Sequence, residues 1–306
     1  YFQHAVRGSN PQKAVDPGLG ASSFLERNFA FRRSLVVLYN LAGIISGTDP
    51  QHPKLLEVRK SIVRLELAIR RDNAAKQNLK RILNETPSAQ LNEDQRAELM
   101  ITLADIYRRQ GRFSRALKVL GRAFSRNLTP SATARVYAAL AQTRLQRGEP
   151  KRALNYCLCA LSCLQEKDQP ELTLELRRVL AEIYAFQGDY ALAADTLLKT
   201  LEVYGERDGI FNRRILPVLS QLGHVYSESG NYFRAARYLY RALEGKKALN
   251  DIPGLAETLT SLGVVYARSG NYAKAIEQQR RAAEIREVLG DWQGLGKNLI
   301  NLGTAF

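Results

Sequence analysis

The spacing of apolar and polar positions repeats along this chain. QLGHVYSESGNYFRA (221–235) and SLGVVYARSGNYAKA (261–275) share Leu-Gly-x-x-Tyr-x-x-x-Gly-Asn-Tyr-x-x-Ala at an interval of forty residues. The apolar positions recur at helical steps, and the later glycine marks a helix end, where the chain needs left-handed backbone. Each repeat therefore predicts two helices, A and B, joined by a tight turn. The small residue after the helix-A leucine serves as an anchor. Followed backwards it is Gly303, Gly263, Gly223, Ala181, Ala141 and Ala104, at spacings of 40, 40, 42, 40 and 37. Three positions on stand Phe306, Tyr266, Tyr226, Tyr184, Arg144 and Tyr107. Seven on come Gly270, Gly230, Gly188, Gly148 and Gly111; twelve on, Ala275, Ala235, Ala193, Ala153 and Ala116.

Small residues at the anchor and alanine positions let two antiparallel helices approach closely, and the tyrosine fills the space between one hairpin and the next. Helix B is expected to start near Asn271-Tyr272, Asn231-Tyr232, Asp189-Tyr190 and Glu149-Pro150, proline being suited to a first helical turn. An earlier, degenerate unit places Ala75 in the alanine role but lacks the glycine. Segment 22–46 opens with Ser23-x-x-Glu26, read as a capping box. It continues through Phe29, Phe31, Leu35, Leu38, Leu41 and Ile45, which predicts one long or two short helices covering the first hairpin, or else a dimerisation or partner-docking helix. Tyr1-Phe2-Gln3 resembles the remnant of a cleavable tag, and residues 4–21, with Pro11, Pro17, Gly18 and Gly20, read as a flexible lead-in.

On these motifs the chain resembles the tetratricopeptide repeat family, over about residues 95–306. Its units of about 40 residues exceed the usual 34. NLGTAF (301–306) and LGDWQGLGKNLINLG (289–303) look like the long-unit subgroup of Partner-of-Inscuteable-type adaptors and bacterial sensor and scaffold proteins. The resemblance implies an all-α helical-hairpin solenoid, a right-handed superhelix with an N-terminal helical cap. The organisation expected is 1–21 tag remnant and lead-in, 22–53 capping helix or helices, and 54–306 solenoid of about six units, the last incomplete. Phe306 takes the tyrosine slot with no helix B after it, so either the natural protein continues or the last helix is a cap held by something else.

Composition adds little to the fold but bounds the chemistry. At 45% hydrophobic and 25% charged the chain is an ordinary soluble one. The longest apolar run, LVVLYNLAGII (35–45), is too short for a membrane span. The three cysteines, Cys157, Cys159 and Cys163, crowd into one expected helix, which favours a reducing, cytoplasmic compartment; with no histidine nearby they make a poor zinc site, and Cys157 reads as a small buried hydrophobe. No phosphate-binding loop, His-Glu-x-x-His or Gly-x-Ser-x-Gly occurs. Neither catalysis, a cofactor nor a metal is expected.

Charge is uneven. Residues 54–152 carry 22 Lys/Arg against 9 Asp/Glu, whereas 153–306 carry 18 of each. The resemblance implies that helix A lines the concave surface, with the residues one, four and five after the anchor pointing into it. These are Asp105, Arg108 and Arg109; Gln142, Leu145 and Gln146, with Arg144 beside them; His224, Ser227 and Glu228; and Val264, Ala267 and Arg268. The candidate partner-binding set is Arg108, Arg109, Arg144, Gln142, Gln146, His224, Glu228 and Arg268. Arg115, Lys118, Arg122 and Arg126 form a stripe on one helix B, expected to be convex and solvated. The function implied is a protein-binding scaffold or adaptor whose basic half favours an acidic or amphipathic partner segment. The alternatives are a ligand-sensing module of a larger signalling or transcription-regulatory protein, and a nucleic-acid-binding solenoid, the latter lacking an evident aromatic stacking platform.

Overall fold

A computed structural model describes residues 15–27, 30–49, 52–87, 89–125, 127–164, 169–205 and 213–305. The tag-like Tyr1-Phe2-Gln3, His4, Phe29, Arg126 and Phe306 lie outside the described residues. Among those described, fifteen α-helices and no strand occur. α1 (Val15–Arg27) and α2 (Phe31–Thr48) precede α3 (Pro53–Ala68) and α4 (Asp72–Glu85). Then come α5 (Glu93–Arg109), α6 (Phe113–Ala123), α7 (Pro130–Gln146), α8 (Pro150–Ser162), α9 (Pro170–Gln187) and α10 (Tyr190–Gly205). α11 (Leu216–Glu228), α12 (Tyr232–Ala248), α13 (Ile252–Arg268), α14 (Tyr272–Leu289) and α15 (Trp292–Ala305) complete the order. The chain divides into two compact units, Tyr1–Thr143 and Arg144–Phe306, with the boundary near the end of α7. Within the second unit each B helix (α10, α12, α14) packs on the A helix before it and on the A helix after it.

The turns follow the sequence pattern closely. Gly111, Gly148, Gly188, Gly230 and Gly270 all have positive φ, between 69° and 86°. At each, the following residue donates its N–H to the carbonyl five residues back, as Arg112 to Tyr107 (2.8 Å) and Asn271 to Tyr266 (2.9 Å). This bond closes helix A by the left-handed route. The B helices begin at Pro150, Tyr190, Tyr232 and Tyr272 as expected, and the Asn231 and Asn271 side chains cap them by accepting from Arg234 N and Lys274 N.

The anchors Gly223 and Gly263 are contact points, whereas a Cβ on Gly303 would meet nothing within 4 Å. A Cβ on Gly223 would lie 2.5 Å from Leu239 Cγ and 3.3 Å from the Ala235 carbonyl, and one on Gly263 would lie 2.5 Å from Gln279 Nε2. Ala104, Ala141 and Ala181 are buried, as are the facing Ala116, Ala153, Ala193, Ala235 and Ala275.

Two further polar ties recur at the same interval. Lys246 Nζ donates to Gly254 O (3.3 Å) and Thr258 Oγ1 (2.8 Å). Forty residues on, Arg286 Nη1 donates to Gly294 O and to Asn298 Oδ1 (2.6 Å). Asp251 and Asp291 cap the helix starts through Gly254 N and Gly294 N, both 3.1 Å. Each tie joins the end of one B helix to the first turns of the next A helix.

The N-terminal region departs from the expectation. Helix α1 begins at Val15, inside the stretch read as lead-in, so Ser23 is an exposed mid-helix residue and not an N-cap. Glu26 instead accepts from Ser22 Oγ (3.1 Å) and pairs with Arg64 on α3 (2.6 Å). Of the open alternatives of one helix or two, two form. Leu35, Leu38, Leu41 and Ile45 pack against Leu55, Val58, Ile62 and Leu65 of α3. In the degenerate unit the register of Ala75 puts Glu66 in the tyrosine position and Arg70 in the glycine position. Arg70 adopts φ 62°, a left-handed turn without a glycine. Glu66 is fully buried and accepts from Tyr39 Oη and from Asn78 Nδ2 (2.9 Å), a hydroxyl contributed from α2. Burial first, then the Glu66 carboxylate, hold the Tyr39 hydroxyl above its ordinary value.

Gly223→Ala is expected to overpack the α11–α12 crossing and lower stability by about 1–3 kcal/mol in urea unfolding. Arg70→Gly is expected to act oppositely. Left-handed strain of about 1–2 kcal/mol is relieved, less the entropy cost of glycine, for a net gain of about 0.5–1 kcal/mol.

Candidate functional site

The A helices of the second unit form a groove. α9, α11 and α13 contribute Arg178, Glu182, Phe186, Ser220, Gln221, His224, Glu228 and Glu257 to a cavity of about 880 Å³. His224 and Glu228, two of the sequence candidates, share this cavity and are exposed. Arg268 joins them by pairing with Glu228 (2.7 Å) across α11 and α13. Phe186 stands in the same cavity with 58% of its surface exposed. On α9 and α11, Arg178 Nε donates to Gln221 Oε1 (3.3 Å), and Gln221 Nε2 returns a bond to the Arg178 carbonyl (2.8 Å). Burial pulls the Arg178 guanidinium below its ordinary value, against the opposing charges of Glu175 and Glu182. The sequence reading passed over Arg178, Ser220 and Gln221. The signal was present, because a step of two or three residues before the anchor lies on the same helical face as a step of one or four after it.

The basic candidates sit in different settings. Arg108 pairs with Asp105 (2.8 Å), and Arg109 beside it is exposed with no ion pair among the described residues. Gln142 is half-buried on α7 and Gln146 is exposed. Arg144 binds Glu149 (2.6 Å), which also takes Arg147 (3.2 Å) and Arg152 (3.3 Å). Desolvation works to raise the Glu149 carboxyl, but the Arg144 hydrogen bond and the three positive charges outweigh it and hold it below the ordinary range. Glu149 thus holds Arg144 in place and offsets one of the three positive charges, leaving the cluster basic.

The stripe on α6 differs from the plain solvated face expected of it. Arg115, Lys118 and Arg122 are exposed, yet with Lys80 of α4 and Arg96 of α5 they line a pocket of about 670 Å³ in the first unit. Leu83, Asn84, Met100, Leu103, Tyr107 and Val119 complete its walls.

Tetratricopeptide repeat family models match residues 101–163, 171–248 and 214–288. The chain belongs to the tetratricopeptide repeat family. No curated protein matches it. Solved tetratricopeptide-like structures share the fold. BtubC from P. vanneervenii is 22% identical with a TM-score of 0.56, over 74% of this chain and 92% of that one. A STAND signal transduction ATPase with a tetratricopeptide repeat sensor, from Pyrococcus horikoshii, is 20% identical with a TM-score of 0.62; 98% of this chain aligns to 44% of that one. The apo form of RapI is 21% identical with a TM-score of 0.57, over 69% and 77% of the two chains.

Tetratricopeptide hairpins bind through surfaces, and the remaining reactive groups here are dispersed. Among the described residues no group of three His, Cys, Asp or Glu is placed to hold a metal ion, and no helix is long and apolar enough to cross a membrane. His52 caps α3 by accepting from Lys54 N (3.2 Å). Cys157 is fully buried, with Sγ donating to Leu176 O, and burial pushes its thiol from near 9 up to about 12. Cys159 is exposed and Cys163 half-buried. With iodoacetamide near pH 8, Cys159 is expected to label first and Cys157 only on unfolding, since the thiolate is the nucleophile. Between pH 9 and 12 the unfolded chain ionises this thiol and the folded chain does not, so stability falls as pH rises; Cys157→Ala should flatten that slope.

Proposed function

We propose that the protein is a non-enzymatic interaction scaffold of a reducing, cytoplasmic compartment, holding a peptide, helix or domain of another protein. The second-unit groove is the docking surface, and the basic first half favours partners that carry acidic segments. The observation that carries this reading is Phe186, a large apolar side chain held largely exposed in a cavity whose other groups can donate and accept hydrogen bonds. Such a mixture suits an apolar anchor with polar flanks. His224 and Glu228 line the same cavity, and Arg268, paired to Glu228, helps orient the flanks. Gln146 and Gln142 offer hydrogen bonds, and Arg108, Arg109 and Arg144 supply positive field near α5 and α7.

Affinity capture at two salt concentrations, followed by crosslinking, tests it. The wild-type chain is expected to retain a partner crosslinked to α9, α11 and α13, and Phe186→Asp to lose about tenfold or more in affinity. Reversing Arg108 and Arg109 to Glu should slow association and blunt the salt dependence while leaving dissociation nearly unchanged. Unaltered capture by Phe186→Asp overturns the groove; unaltered association by the double reversal overturns the electrostatic part.

A further inference from the structure

The pocket on the first unit is separate in construction from any helix-A groove. On α5 the residues Arg96, Met100, Leu103 and Tyr107 follow one another at three- and four-residue steps and share one face. Asp105, Arg108 and Arg109 occupy the opposite face of the same helix. The pocket is therefore closed by two B helices, α4 and α6, with the back of one A helix between them. Its lining contains five cations, Lys80, Arg96, Arg115, Lys118 and Arg122, and no carboxylate. None of the five has an ion-pair partner among the described residues. This contrasts with Arg59 and Arg81, both paired to Glu85 nearby (3.1 and 3.0 Å). Arg96 alone is partly fixed, donating from Nη2 to the Leu83 carbonyl (3.0 Å), which leaves its other N–H groups free to turn outward.

Five like charges around one hollow create a positive field that favours an anion, even where water and salt screen part of their repulsion. The floor decides what kind of anion. Met100 and Val119 are half-buried and offer thioether and aliphatic surface over the buried Leu83 and Leu103, and the one aromatic ring, Tyr107, is buried at 6% exposure and presents no open face for a base to stack on. A nucleic-acid strand would gain phosphate contacts but leave this apolar floor unused. A peptide with one apolar side chain between carboxylates uses both.

We propose that this pocket is a second binding site, taking an acidic protein segment that inserts a single apolar side chain against Met100 and Val119. Its flanking Asp or Glu carboxylates pair with Lys80, Arg115, Lys118 and Arg122. The site rests on the reading that the first unit attracts acidic partners, and adds to it a place and a sequence preference.

Fluorescence anisotropy with a short labelled synthetic peptide of Asp and Glu around one central Phe tests it, alongside the same peptide with Ser for Phe, and a single-stranded RNA of matched charge. The wild-type chain is expected to bind the Phe peptide about tenfold or more tighter than the Ser peptide. Lys118→Glu with Arg122→Glu should weaken the Phe peptide by at least tenfold. Lys247→Glu with Arg280→Glu, which moves the net charge equally on exposed residues of the second unit, should change it less than threefold. Thermal melts of both double variants check that the fold persists. Equal binding of the Phe and Ser peptides, or equal loss in the two double variants, overturns the pocket while leaving diffuse attraction of acidic partners intact. RNA binding tighter than the Phe peptide and lost in Lys118→Glu, Arg122→Glu also overturns it. No binding of either peptide overturns both the pocket and the electrostatic reading, and leaves the Phe186 groove to its own test.

Discussion

The close crossing of two helices at a small residue is the constraint on which this molecule depends. At Gly223 the Leu239 side chain and the Ala235 carbonyl already occupy the space where a Cβ would stand. The chain reaches that crossing only if it reverses within a few residues, and the left-handed glycine turn supplies the reversal. Once both are fixed, the A helix has one face against its partner and another left to line a groove. The candidate side chains take their directions from this geometry.

Features carried by backbone stereochemistry were legible in the sequence. The positive-φ glycines and the B-helix starts at Pro150, Tyr190, Tyr232 and Tyr272 lie where the spacing put them, because few residues serve at those points. The degenerate unit was harder to read because its parts had been exchanged: Arg70 takes the turn, and Glu66 with Tyr39 takes the inter-hairpin space. Ser23-x-x-Glu26 has the spacing of a cap, but Val15 begins the helix and Glu26 answers to Ser22 and Arg64. The ties Lys246–Gly254–Thr258 and Arg286–Gly294–Asn298 were written at the forty-residue interval. They went unread because their residue types change between copies.

Charge was legible in amount but not in use. Local carboxylates decide which cations are available. Glu149 gathers three arginines and Asp105 holds Arg108, whereas the cations of α4, α5 and α6 around the first-unit pocket have no such neighbour among the described residues. That pocket draws on segments up to about forty residues apart, and helical periodicity alone reports only the face of one helix at a time.

The two buried cations between successive hairpins have a mechanical consequence. Sliding either junction would pull an ammonium or guanidinium off its partners while it is still shielded from water, a cost that sliding apolar surfaces does not carry. The ties therefore oppose shear where α12 meets α13 and where α14 meets α15. Since α13 also lines the groove, a partner pulling on that helix would work against the Lys246 tie before the neighbouring hairpin could slip.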